Sequence, residues 1–202
     1  MIFLRYESFR QYIRFYPVTS IILLIQVVMF AVTTWAGGST DPETLIRFGA
    51  MYHLPGIAPE YWRYFTAIFL HIGFTHLLFN SFALYVFAPP LERILGTWNY
   101  IVFYLGSGFA GNVLGEWFHT DNYFAAGASG AIYGIYAGFL YLGIFVRGVL
   151  DESSRKTINI VLVTGFIYSF LVPHVSVLGH LGGFLGGFIL FALMFRKYRL
   201  MR

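Results

Sequence analysis

The sequence predicts an all-α fold, a polytopic membrane protein of six transmembrane helices, and three observations predict it. Hydrophobic residues make up 58% of the 202-residue chain and charged residues only 11%, where an ordinary soluble domain carries about 25% charged residues. The apolar residues gather into six stretches, 18–36, 65–88, 100–118, 126–146, 158–172 and 177–195. The basic residues stand at the ends of these stretches and not inside them. So few charges do not cover a water-facing surface, and a mean hydropathy of +0.69 agrees. A helix crossing about 30 Å of hydrocarbon needs roughly 20 apolar residues. Six spans with short loops therefore use almost all of residues 1–202, as one membrane domain without a soluble appendage.

The first stretch follows Arg5, Arg10 and Arg14. No small-residue cleavage site comes after it, so it reads as a retained span and not as a removed signal peptide. Pro89-Pro90 is expected to end the second stretch, because proline blocks helix continuation. The fifth stretch is the shortest, and Pro173 closes it with a short turn into the sixth. Segment 37–64, with Pro42, Pro55 and Pro59, is too short for a domain and long for a simple connection, so it is expected to fold against the membrane surface. Aromatics crowd the span ends (Tyr12, Phe15, Tyr16, Trp62, Tyr64, Trp98, Tyr100), as interfacial anchors do.

Orientation follows from the Lys and Arg residues. With a cytoplasmic N-terminus and six spans, Arg5, Arg10, Arg14, Arg93, Arg147, Arg155, Lys156, Arg196, Lys197, Arg199 and Arg202 fall inside, and only Arg47 and Arg63 outside. That is the bias the positive-inside rule demands, and it predicts both termini in the cytoplasm. The net charge of +4 gives no stripe or patch suited to nucleic acid. Cysteine is absent, which removes disulfides, thiolate nucleophiles and cysteine-based metal sites.

Polar groups inside spans are costly and usually functional. His76, Asn80, Ser129 and His180 all fall toward the extracytoplasmic side in this orientation. Ser129 lies in Gly127-Ala128-Ser129-Gly130, where glycine permits close backbone approach and the helix N-terminus offers free N–H groups to an oxyanion. Tyr133 is at i+4, on the same face, about 6 Å along the axis. The competing reading is a small-residue packing motif with a serine bonded to its own helix. The sixth stretch shifts the balance: Gly179, Gly183 and Gly187 match Gly130, Gly134 and Gly138 in spacing, so two small-xxx-small ridges can pack closely. His180, on the edge of that contact, is then carried toward the Ser129 hydroxyl, as covalent catalysis requires. His76 and Asn80, also i and i+4, are two hydrogen-bond donors suited to an oxyanion or, alternatively, an interhelical packing pair. His71 begins the same stretch and is a candidate supporting group.

The ordered set His71-x4-His76-x3-Asn80, Gly127-x-Ser129-Gly130-x2-Tyr133-Gly134 and His180-x2-Gly183-x3-Gly187 resembles the rhomboid family of intramembrane serine proteases. Trp62-Arg63, and Glu92 followed by Leu95-Gly96, fit the same pattern, and the likeness covers nearly the whole chain. It implies a rhomboid-like bundle in which Ser129 is the nucleophile and His180 its base, a dyad without a carboxylate. It implies an oxyanion hole from the Ser129 N–H, His76 and Asn80, and a Tyr133 ring stacked on His180. It further implies a partly embedded loop at Trp62-Arg63, and a lateral gate and cap from the fifth span and residues 173–177. Single-span membrane proteins would be the substrates, in a bacterial plasma membrane, with no cofactor or metal. Three other readings compete. An inactive relative that binds membrane clients would have no need of Ser129 and His180. A small transporter would need polar residues continuing to the cytoplasmic side. A metalloprotease using His71, His76 and His119 would need a His-Glu-x-x-His helix, which the chain lacks.

Overall fold

The computed structural model describes residues 1–53, 60–118, 123–172 and 175–200, with residues 196–200 as backbone. Pro55, Pro59, His119, Pro173 and Arg202, and the side chains of Arg196, Lys197 and Arg199, lie outside the described residues. The described residues are 76% helical. Its helices are α1 (Phe9–Phe15), α2 (Pro17–Ala36), α3 (Pro42–Arg47), α4 (Arg63–Thr66, continuing as a 3-10 turn over Ala67–Phe69), α5 (Phe74–Leu95), α6 (Thr97–Trp117), α7 (Ser129–Phe145), α8 (Glu152–Leu171) and α9 (Val177–Leu200). Two short strands, β1 (Met51–His53) and β2 (Tyr123–Ala125), pair antiparallel with Tyr52 opposite Phe124. This ribbon is a small departure from a purely helical fold. It lets two loops that meet outside the bundle satisfy each other's backbone groups.

Two helices are long and apolar enough to cross a membrane on their own, α2 and the Val177–Phe195 part of α9. A third qualifies if the bent pair Arg63–Phe69 and Phe74–Leu95 counts as one span. That pair turns through 91°, so residues 65–88 are not one continuous helix. The chain breaks at Gly73, at φ +78°, a conformation glycine adopts without strain. His71 lies in the break.

Pro89 and Pro90 do not end their helix, contrary to the expectation above; both are buried inside α5. A proline at position 89 leaves the Tyr85 carbonyl without its usual i+4 donor. The Tyr12 hydroxyl donates to that oxygen at 3.3 Å, and the two tyrosine rings stack at 4.9 Å. Beyond the prolines, Glu92 accepts from the N–H groups of Val18 and Thr19, both at 2.9 Å, and from the Thr19 hydroxyl at 2.6 Å. A carboxylate on the free N–H groups and positive dipole end of α2 is stabilising. Tertiary bonds on both sides thus carry α5 through its prolines.

The core is a three-helix contact of α6, α7 and α9, made close by glycine. A Cβ on Gly183 would collide with the Gly130 carbonyl, and one on Gly187 with Gly134. The ridges of α7 and α9 therefore interlock one step out of the equal register the spacing suggests. Gly179 faces α6 instead: a Cβ on Gly111 would stand 2.7 Å from the Gly179 carbonyl, and one on Gly182 2.6 Å from that of Ala110. Helix α8 packs outside this core through Ile158, Leu162 and Ser169, and leaves Ile160, Val163, Ile167, Phe170 and Leu171 exposed. The amino terminus bonds to Asp151 at 3.3 Å and the Ile2 N–H to Ser154 at 2.9 Å. The chain start, the α2 start, the α5 end and the α8 start therefore share one end of the bundle. The starts of α5, α7 and α9 occupy the other.

Candidate active site

Ser129 is the first residue of α7 and partly exposed. Its helix forms its first backbone bond from Ile132 to Ala128, so the N–H groups of Ser129, Gly130 and Ala131 have no intrahelical acceptor. Gly127 holds φ +145° just before the helix, and its N–H donates to the Ala67 carbonyl at 2.9 Å. A side chain there would be strained and would also meet His76, with a Cβ 2.6 Å from Cε1 and 2.8 Å from Nε2. Glycine at 127 is what lets the His76 ring lie against the turn that presents Ser129.

His76 Nδ1 accepts from the Ile72 N–H at 3.4 Å. With that lone pair engaged, the ring proton belongs on Nε2, the nitrogen beside Gly127. Asn80 is buried, and its Nδ2 donates to the His76 carbonyl at 2.8 Å. An amide nitrogen has two N–H groups, so one is committed to its own helix and one is left. His71 is buried and meets the His76 ring edge-on at 5.2 Å, which fixes the plane of that ring.

His180 is in the first turn of α9, whose start is closed by the Ser176 hydroxyl accepting from the Gly179 N–H at 3.0 Å. The imidazole is buried and lies flat on the Tyr133 ring, centroids 4.2 Å apart and planes 16° apart. Phe166 packs on the other flank of Tyr133 at 4.9 Å. No hydrogen bond joins Ser129 to His180 among the described residues. Such bonds are often open or long until a substrate fills the site. The structure brings together the α7 start, His76, Asn80, Tyr133 and His180. His119 and Pro173 lie outside the described residues, and among the described residues no three His, Asp or Glu side chains converge as a metal set.

Sequence reading missed Ser169. Its Oγ is 2.6 Å from His180 Nδ1, 2.8 Å from the Gly165 carbonyl and 3.3 Å from the Tyr133 hydroxyl. The available signal was a polar residue four positions after a glycine in the mostly apolar second half of α8, but only the tertiary packing shows what it touches. Arg63, beside Trp62, is buried and donates to the carbonyls of Ile46 and Ala50 and to Glu60, so the Trp62-Arg63 pair knits the loop after α2. Tyr64 donates to Glu116 and joins that loop to α6.

The fold and site define an integral membrane protein of packed helices, with a helix-start serine and a stacked histidine at the same end. The Rhomboid domain family matches residues 58–197. YdcA of Bacillus subtilis is 35% identical over 198 residues, covering 96% of this chain and 97% of YdcA. Rhomboid protease GluP of Bacillus subtilis is 34% identical over 170 residues, covering 84% of this chain and 33% of GluP. Rhomboid-type serine protease 2 of Emericella nidulans is 34% identical over 137 residues, covering 66% of this chain and 27% of that protein. The chain therefore spans nearly all of YdcA but about a third or less of the other two. It belongs to the rhomboid family and is a serine protease, a hydrolase.

Proposed function

We propose that the chain is an intramembrane endopeptidase that cuts single-span membrane proteins with a Ser129–His180 dyad. Ser129 Oγ attacks the peptide carbonyl while His180 Nε2 takes its proton. The oxygen that gains charge is met by the Ser129 N–H, the Nε2–H of His76 and the free amide N–H of Asn80, fixed dipoles that need no reorganisation as charge develops. Return of the proton from His180 to the leaving amine gives an acyl-enzyme, and the same base activates the water that releases it. One observation carries the reading: the imidazole is stacked on Tyr133, one turn along α7 from Ser129 and on the same face. A fluorophosphonate should label the wild type at Ser129 and fail to label His180→Ala. Equal labelling of that variant would remove the base.

The six long helices α2, α5, α6, α7, α8 and α9 are read as six spans, with both termini cytoplasmic and the site toward the extracytoplasmic face. Water must reach the site, and polar groups at membrane depth are tolerated where they line a wet cavity. A substrate helix hides its carbonyls in hydrogen bonds, so it must unwind before attack. Substrates with Gly, Pro or polar residues near their outer end should be cut, and replacing that outer turn with Leu and Ala should abolish cutting. The exposed face of α8 (Ile160, Val163, Ile167 and Phe170) is read as the lateral gate along which a substrate helix approaches.

A further inference from the structure

Proton transfer from a serine needs the imidazole lone pair on the nitrogen that faces it. A neutral imidazole has one protonated and one bare nitrogen, and the partner of one decides the state of the other. This inference rests on the dyad reading above. We propose that Ser169 is the positioning residue of His180: its Oγ accepts the proton on Nδ1 and leaves the Nε2 lone pair for Ser129.

The direction of that bond follows from the neighbours of Ser169. Its hydroxyl has one proton to give and two lone pairs to offer. The Gly165 carbonyl, 2.8 Å away on the same helix, can only accept, and bonding back to the i−4 carbonyl is a known arrangement for a serine in the middle of a helix. The hydroxyl proton therefore goes to Gly165. A contact of 2.6 Å between Oγ and His180 Nδ1 then has its proton on nitrogen. The Tyr133 hydroxyl at 3.3 Å takes the second lone pair. Every donor and acceptor of Ser169 is then in use, and the residue is 2% exposed, with no water needed to complete it.

Gly165 shapes the same corner. A Cβ there would stand 2.5 Å from the Tyr133 hydroxyl, so glycine keeps open the space where that hydroxyl reaches Ser169. Helix α8 thus supplies two of the groups that hold a histidine carried by α9. A hydroxyl already bonded to its own helix can do this inside a bilayer at little cost, whereas a buried carboxylate is expensive unless paired. The orienting duty that an aspartate performs in soluble triads falls here to an uncharged group on a third helix.

The test uses the full chain in nanodiscs, with nitrogen-15 histidine spectra beside cleavage kinetics of a single-span substrate. Wild-type His180 should show the Nδ1–H tautomer, and Ser169→Ala should move it toward Nε2–H. The same change should lower kcat about tenfold with KM unchanged, the worth of one ordinary hydrogen bond. Ser169→Thr, which keeps a hydroxyl, should restore both. A wild-type Nε2–H tautomer would overturn the proposal even if Ser169→Ala failed to fold, and so would wild-type kcat and tautomer in Ser169→Ala. Retained cleavage in Ser129→Ala would strike the dyad reading and not Ser169, so the two failures are separable.

Discussion

His76 and Asn80 sit one helical turn apart, yet they are unequal donors. His76 points an uncommitted ring nitrogen at the α7 turn, while Asn80 already spends one N–H on its own helix. Losing a preorganised donor to an oxyanion costs roughly a hundredfold or more in kcat. His76→Ala should fall by about that much with KM little changed, and Asn80→Ala should fall less. Equal losses in steady-state cleavage would contradict this ranking. Tyr133→Phe keeps the stacked ring and should retain most activity, whereas Tyr133→Ala should not. Much of this site was legible in the sequence, because Ser129 with Tyr133, and His76 with Asn80, stand at i and i+4, where helical geometry alone gives a shared face. Ser169 was not legible. Its partner is on another helix, and its place four residues after Gly165 does not tell what it touches.

Among the elements, the crowded α7–α9 contact sets the hardest constraint. Gly183 and Gly187 press on the backbone of α7, and adding atoms to a full interface typically costs about 1–3 kcal/mol. Gly183→Ala should therefore lower the thermal midpoint and the activity together, while Gly143→Ala, whose Cβ would meet only ordinary contacts at 3.7 Å from Leu150 and 3.9 Å from Arg155, should leave activity as it is. Unaltered melting of Gly183→Ala would refute the close packing. The paired glycine ridges of α7 and α9 could be read ahead of the structure because both repeat every four residues. The share of α6 was harder to read, since its four-residue repeat of Ser107, Gly111 and Gly115 is interleaved with Gly106 and Gly108. The prolines misled for a related reason. Proline removes a local bond, and only the fold shows that Tyr12 and Glu92 compensate. Tyr12→Phe should cost about 1 kcal/mol by leaving the Tyr85 carbonyl unpaired, measurable by urea unfolding in micelles.

At the scale of the whole molecule, the amino terminus is fastened to the start of α8. Bonds from the Ser154 N–H and hydroxyl, and then from the terminal ammonium, hold the Asp151 carboxyl down at about 2. A carboxylate lowered on folding supports the fold fully above its ordinary value of about 3.9, and that support is lost as pH falls toward about 2. Protection against hydrogen exchange at the Ile2 and Ser154 amides, measured relative to the free-amide rate at each pH, should hold down to about pH 4 and fall below it. Asp151→Asn should remove this pH dependence. Because the chain has no cysteine, single cysteines can report its topology. A thiol at Thr40 should react from outside intact cells, and one at Arg147 only after permeabilisation; the reverse pattern would invert the proposed orientation. The central claim concerns a hydroxyl and an imidazole acting together at one end of the bundle. Its most direct measurement is cleavage of a single-span substrate in liposomes by the wild type, Ser129→Ala and His180→Ala. The account predicts cutting by the wild type and none by either variant; wild-type rates in one of them would contradict it.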